Sequence, residues 1–175
     1  MLYLMGFVLA IIIQRLLELR IARRNLEFAL ASGAKEYASD HYKWIVLLHV
    51  SWIVSLLLEG ILRGSSLSNL WWLWLGIFVL AQAGRYWAIS SLGKYWNTRI
   101  IIFPGGDRVA KGPYKYFKHP NYIVVALELF VAPMIFGCWM TAVISSLVNA
   151  WLLLGVRIPA EERALEEYKK SFGTV

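Results

Sequence analysis

The stretch YIVVALELFVAPMIFGCWMTAVISSLVNAWLLLG, residues 122–155, decides the fold. Its 34 residues are nearly all apolar, which is too many for one membrane crossing at about 20 residues per span. Pro133 and the Phe136-Gly137-Cys138 segment lie near its middle. Proline removes a helix hydrogen bond there and glycine loosens the backbone. Two halves of about 17 residues each, rising 1.5 Å per residue, nearly cover a hydrocarbon core of about 30 Å. The tract therefore reads as a helical hairpin whose two ends emerge on one face.

Working outward, apolar runs over 2–19, 44–62 and 70–92 supply three more spans, so the chain reads as an all-α integral membrane protein with about five transmembrane helices. Composition agrees. The hydrophobic fraction of 59% exceeds the roughly 45–50% of soluble domains, and nine tryptophans and nine tyrosines suit rings that settle where hydrocarbon meets headgroups. The net charge of +7 could signal nucleic acid, but its distribution argues otherwise. Under this topology fifteen of the eighteen Lys and Arg residues fall on one side, Arg63 alone on the other, and Arg15 and Arg85 within spans. That asymmetry predicts an outside N-terminus and a cytoplasmic C-terminus, and accounts for the basic charge without a nucleic-acid partner. Positive charges follow the first span and do not precede it, so that span reads as a retained anchor. The single cysteine, Cys138, forms no disulfide within the chain, and no metal-ligand spacing is present.

The chain reads as one membrane domain. Residues 1–92 hold three N-terminal spans, and 93–175 hold a loop, the hairpin and a short cytoplasmic terminal helix. Loop 20–43 is polar, with helix expected as far as Ala31-Ser32-Gly33. Loop 93–121 carries a Phe103-Pro104-Gly105-Gly106-Asp107 turn signal and reads as irregular. Pro159 suits the first turn of the terminal helix and Glu161 and Glu162 its positive end.

The hairpin topology sets GPYKYFKHPNY, residues 112–122, beside Arg157 through Glu162. Together these segments offer an imidazole, phenol hydroxyls, a guanidinium and carboxylates where lipid meets water. Each has a plain structural reading as well: tyrosines as interfacial anchors, lysines as topology markers, glutamates as helix-start charges, Arg157 snorkelling to headgroups. Order and spacing add more. Gly112-Pro113-Tyr114, His119-Pro120-Asn121-Tyr122, an apolar hairpin, then Arg157, Glu161-Glu162 and Leu165 resemble the isoprenylcysteine carboxyl methyltransferase family and its phospholipid methyltransferase relatives, over about residues 92–173.

The resemblance implies an enzyme that binds S-adenosylmethionine from the cytosol and O-methylates a lipophilic acceptor in the bacterial plasma membrane. By position, Tyr114, His119, Pro120, Asn121, Tyr122 and Glu161 would hold the cofactor, with Arg108 and Val109 lining the same pocket. Arg157 would approach the acceptor as the catalytic residue. The family's arginine before His-Pro is Lys118 here, which keeps charge but not bidentate geometry. The acceptor could be a prenylated cysteine or, as in short bacterial members, an alkylated pyrone or another long-chain acid or enol. A carboxylate, with a reference pKa of about 4, needs only orientation; an enol or phenol also needs a proton acceptor, for which His119 and Glu162 are candidates. No metal is required for such a displacement. Intramembrane Arg15, Glu18, Glu59, Arg85 and Glu128 are costly in hydrocarbon and therefore partners or pocket walls. Arg15 and Glu18 are spaced to pair, Arg85 is placed to meet a substrate or lipid phosphate, and His41 and His49 have no companion ligands.

Two other function classes fit parts of the pattern. An NADPH-dependent membrane sterol-type reductase shares Arg, His and Tyr near its end, but the Arg-Asp and Lys-Tyr-Gly arrangement of those enzymes is missing. A non-catalytic membrane scaffold would bind no cofactor.

Overall fold

The computed structural model describes residues 1–105 and 109–172. Six helices and two three-residue strands follow in order: α1 Leu2–Ala31, β1 Lys35–Tyr37, α2 Tyr42–Leu62, α3 Trp71–Leu92, β2 Ile100–Ile102, α4 Pro120–Ile135, α5 Trp139–Trp151 and α6 Ile158–Phe172. Three helical stretches are long and apolar enough to cross a membrane: Leu2–Ala31, Ser39–Leu62 and Trp139–Tyr168. Four tryptophans, Gln82 and Arg85 dilute the apolar character of α3, and α4 is shorter at 16 residues. Large apolar side chains cover the outside, among them Leu62, Leu80 and Leu147, each more than 60% exposed. Such a surface is suited to lipid and not to water.

The apolar tract turns where its composition suggests. Helix α4 runs through Pro133, and the chain leaves it over Phe136–Cys138 with Gly137 at φ +66°. Proline cannot donate to the carbonyl four residues earlier, and that carbonyl, Leu129 O, instead accepts from Trp52 Nε1 at 3.1 Å. Glu59 of α2 closes the start of α5, accepting from the Thr141 backbone N–H and hydroxyl, both at 2.7 Å. A carboxylate is favoured there because helix N-terminal N–H groups lack partners.

The helix expected as far as Ala31 is present, and three features go beyond the sequence reading. First, α1 is continuous from Leu2 to Ala31, so the first span and the polar segment after it form one rod. Its second half braces the long loop: Asn25 Nδ2 donates to Gly93 O and Trp96 O, and Asn97 Nδ2 donates to Ala22 O. Second, loop 93–121 is partly regular. Ile100–Ile102 pairs antiparallel with Lys35–Tyr37, Arg99 clasps Glu36 at 2.8 Å, and Ile100 and Ile102 pack on Ala160 and Ala164 of α6. Third, the terminal helix is not separate. A π-helical stretch, Leu152–Arg157, joins α5 to α6 without a break, with Ile158 N–H donating to Leu153 O. The wider turn absorbs Pro159, whose ring and missing N–H would disrupt a regular α-helix.

At the bundle centre, α1, α3 and α4 are tied by ions. Glu128 is 1% exposed and accepts from Arg85 Nε at 2.6 Å, Gln82 Nε2 at 2.8 Å and Arg15. Glu18 bridges Arg15 at 2.7 Å and Arg85 at 3.2 Å. Buried charges are tolerated when paired and hydrogen-bonded in this way.

Candidate active site

The start of α4 and the end of the π stretch meet. The Tyr122 hydroxyl donates to Glu161 Oε2 at 2.7 Å and accepts from Arg157 Nε at 3.1 Å. Arg157 Nη2 donates to Thr98 O at 2.9 Å, which draws loop 93–102 over the same point. His119 stacks on Tyr122, with ring centroids 5.2 Å apart and planes 12° from parallel, and its Nδ1 lies 3.7 Å from Glu161 Oε2. His119 occupies the N-cap position of α4 but makes no side-chain cap, so its imidazole is turned to the cluster and not to the helix end. Pro120 starts α4, where its missing N–H has no cost. Gly112 at φ +54° lies against α3, and any side chain there would run into Ser91. That close approach is what the Gly-Pro-Tyr turn requires of its first residue.

These groups open on a cavity of about 460 Å³, within the range of small-molecule sites. Tyr114, Lys118, His119, Asn121, Tyr122, Arg157 and Glu161 line it, as do Arg15, His49, Arg85, Val125 and Asn149. The α5–α6 rod contributes Leu152 and, at every fourth position, Asn149, Leu153, Arg157, Glu161 and Leu165. A regular α-helix would carry that stripe about 160° around its axis. In the π stretch each residue advances only about 80°, which keeps the stripe on the cavity.

Two buried polar atoms at the mouth have no protein partner, Asn121 Oδ1 and Arg157 Nη1. Such atoms are costly unless something binds them. Burial first, and the Glu161 charge second, push the Tyr114 phenol up to about 12, so this group remains a hydroxyl.

Of the other expected residues, Arg108 lies outside the described residues, together with Gly106 and Asp107 of the turn signal. Val109 is half-buried and is not part of the cavity wall. Glu162 is not part of the cavity lining and pairs with Lys118 at its edge; it follows Glu161 on α6, and adjacent helix positions face different ways. Arg85 borders the cavity, but its guanidinium is 2% exposed and held by Glu128 and Glu18, so it forms part of the wall's ion network. Arg15 and Glu18 pair as their spacing suggested. Among the described residues no three His, Cys, Asp or Glu side chains gather as a metal site. The sequence reading did not single out Thr98, whose contribution is a main-chain carbonyl, or Asn149, a lone amide in an apolar run.

Residues 74–167 match the isoprenylcysteine carboxyl methyltransferase family, a span that includes the whole Tyr122–Arg157–Glu161 cluster. The chain is 43% identical to the uncharacterized protein YpbQ of Bacillus subtilis over 159 residues, covering 90% of this chain and 94% of that one. It is 25% identical to an uncharacterized protein of Haemophilus influenzae over 151 residues, 86% and 88% of the two chains. The family match and the long apolar helices point to a membrane methyltransferase of the isoprenylcysteine and phospholipid class. The chain belongs to the isoprenylcysteine carboxyl methyltransferase family.

Proposed function

We propose that this protein transfers a methyl group from S-adenosylmethionine to an oxygen of a lipophilic acceptor at the cytoplasmic face of the membrane. The observation that carries the reading is the meeting of Tyr122, Arg157 and Glu161 at the mouth of one cavity. The unmatched Asn121 Oδ1 and Arg157 Nη1, with the Glu161 carboxylate, fit a ligand bearing both an ammonium and a carboxylate, as an amino-acid sulfonium does. S-adenosylmethionine would supply the electrophilic methyl. In this reading Glu161 accepts from the ammonium, while Tyr114, His119 and Asn121 wall the cofactor. Tyr122 fixes the distance between Glu161 and Arg157. Arg157, held by Thr98 O and Tyr122 and with one nitrogen left over, orients the acceptor oxygen. Alignment and exclusion of water are the main demands of such a displacement. The five-crossing topology, with N-terminus outside and C-terminus cytoplasmic, belongs to the same proposal and rests on the placement of Lys and Arg.

The test is transfer of labelled methyl from S-adenosylmethionine into an organic-soluble extract by membranes containing the protein, with the product identified by mass spectrometry. Activity should require Arg157 and Glu161. Full activity in both alanine variants, or stabilisation of the protein by NADPH and not by S-adenosylhomocysteine, would refute it.

A further inference from the structure

We infer that Asn149 is a positioning residue for the methyl acceptor, hydrogen-bonding an oxygen of its head group in the inner part of the cavity. The inference rests on the methyltransferase reading above. Asn149 is 4% exposed and lies on the cavity wall. A carboxamide offers two donor hydrogens and an acceptor oxygen; this one makes no side-chain hydrogen bond to a described residue, and its polar atoms are not among the fully enclosed ones, so they open on the cavity. The contrast with its surroundings is informative. Glu59, Glu128 and Trp52 are each matched by named partners, whereas the amide of Asn149 is left to the cavity. Open donors and an open acceptor on the wall of a cavity point to a partner that arrives with a ligand.

Its location indicates which ligand. Asn149 shares the cavity-facing stripe with Leu153, Arg157 and Glu161, and lies two steps further along it than Arg157, away from Glu161. A cofactor held by Glu161 and Tyr114 occupies the mouth. A group two steps beyond Arg157 on the same cavity wall meets what Arg157 holds on its other side. A hydrocarbon tail gives a carboxamide nothing to bond, whereas an oxygen-bearing head does. The acceptor is therefore held at two points, by Arg157 and by Asn149.

The test compares wild type with Asn149→Leu, a near-isosteric apolar replacement, and measures three quantities. These are the melting temperature without ligand, the Kd for S-adenosylhomocysteine, and the Kd for two acceptor probes, N-acetyl-S-farnesylcysteine and a long-chain alkylated hydroxypyrone, in S-adenosylhomocysteine-saturated protein. The expected result is an unchanged or higher melting temperature, unchanged S-adenosylhomocysteine binding, and about tenfold weaker binding of whichever probe the wild type takes. Equal probe binding by the variant overturns the inference, as does a fall in melting temperature together with lost S-adenosylhomocysteine binding, which would mark Asn149 as structural. Wild type that binds S-adenosylhomocysteine but neither probe also overturns it, leaving the methyltransferase reading intact. Wild type that binds no S-adenosylhomocysteine overturns both.

Discussion

Replacing Tyr122 with phenylalanine isolates the contact on which the site turns. The ring and its stacking on His119 remain; only the hydroxyl goes, with its bonds to Glu161 at 2.7 Å and Arg157 at 3.1 Å. Hydrogen bonds to charged groups contribute about 1.5–3 kcal/mol each, but the two losses differ. The Glu161 side chain is 29% exposed, so water can replace the phenol there and most of that contribution is recovered. Arg157 is 4% exposed, and its Nε has no such recourse. Its nearest remaining partner would be the Glu161 carboxylate, which an ion pair would draw away from the cofactor's ammonium. The net effect is about 2 kcal/mol against cofactor binding, or about a thirtyfold weaker Kd for S-adenosylhomocysteine. Isothermal calorimetry on protein in lipid nanodiscs measures it, with thermal melting as a check on folding. A correctly folded variant whose Kd stays within about threefold of wild type would refute the reasoning.

Glu128→Ala leaves the Arg15 and Arg85 guanidiniums buried without their shared carboxylate and should destabilise the protein by about 3–5 kcal/mol; adding Arg85→Met should restore part of the loss, and an unchanged tryptophan-fluorescence melt for the single variant would contradict the ion network. For Tyr114 the native phenol is raised to about 12, so the unfolded chain loses that proton first. Its contribution is intact below about pH 10 and declines as pH rises from there towards 12. Ultraviolet titration should show Tyr114 among the late-ionising tyrosines, and loss of one late-ionising equivalent in Tyr114→Phe checks the assignment.

Much of the site was legible before any coordinates. The length of the 122–155 tract and Pro133 together require a reversal, and a reversal puts Tyr122 near Arg157 and Glu161. Other parts leave no mark that a sequence can show. Three-residue strands are too short for a period-2 pattern, so the Lys35–Tyr37 and Ile100–Ile102 pairing stayed hidden. Thr98 acts through its carbonyl, which every residue type possesses. Pro159 reads equally well as the start of a new helix or as a kink in an old one, because the π turn that reconciles them depends on packing. Asn149 looks like a tolerated polar residue until its missing partners are visible. Glu161 and Glu162 are interchangeable as helix-start charges, and only the direction of α6 separates the one on the cavity from the one paired with Lys118.

The wound-out stretch between Leu152 and Arg157 makes the last rod of the protein a gearing element. Everything beyond it is indexed to everything before it by the number of residues in that stretch, more than by their identity. Adding one residue there with the wide turn kept would rotate Glu161 by about 80° relative to Asn149 and disengage the two ends of the cavity, whereas removing one lets the stretch tighten to a regular α-helix with the register changed by only about 20°. Conservative substitution at the exposed Leu154 and Gly155 should therefore be forgiven where an added residue is not.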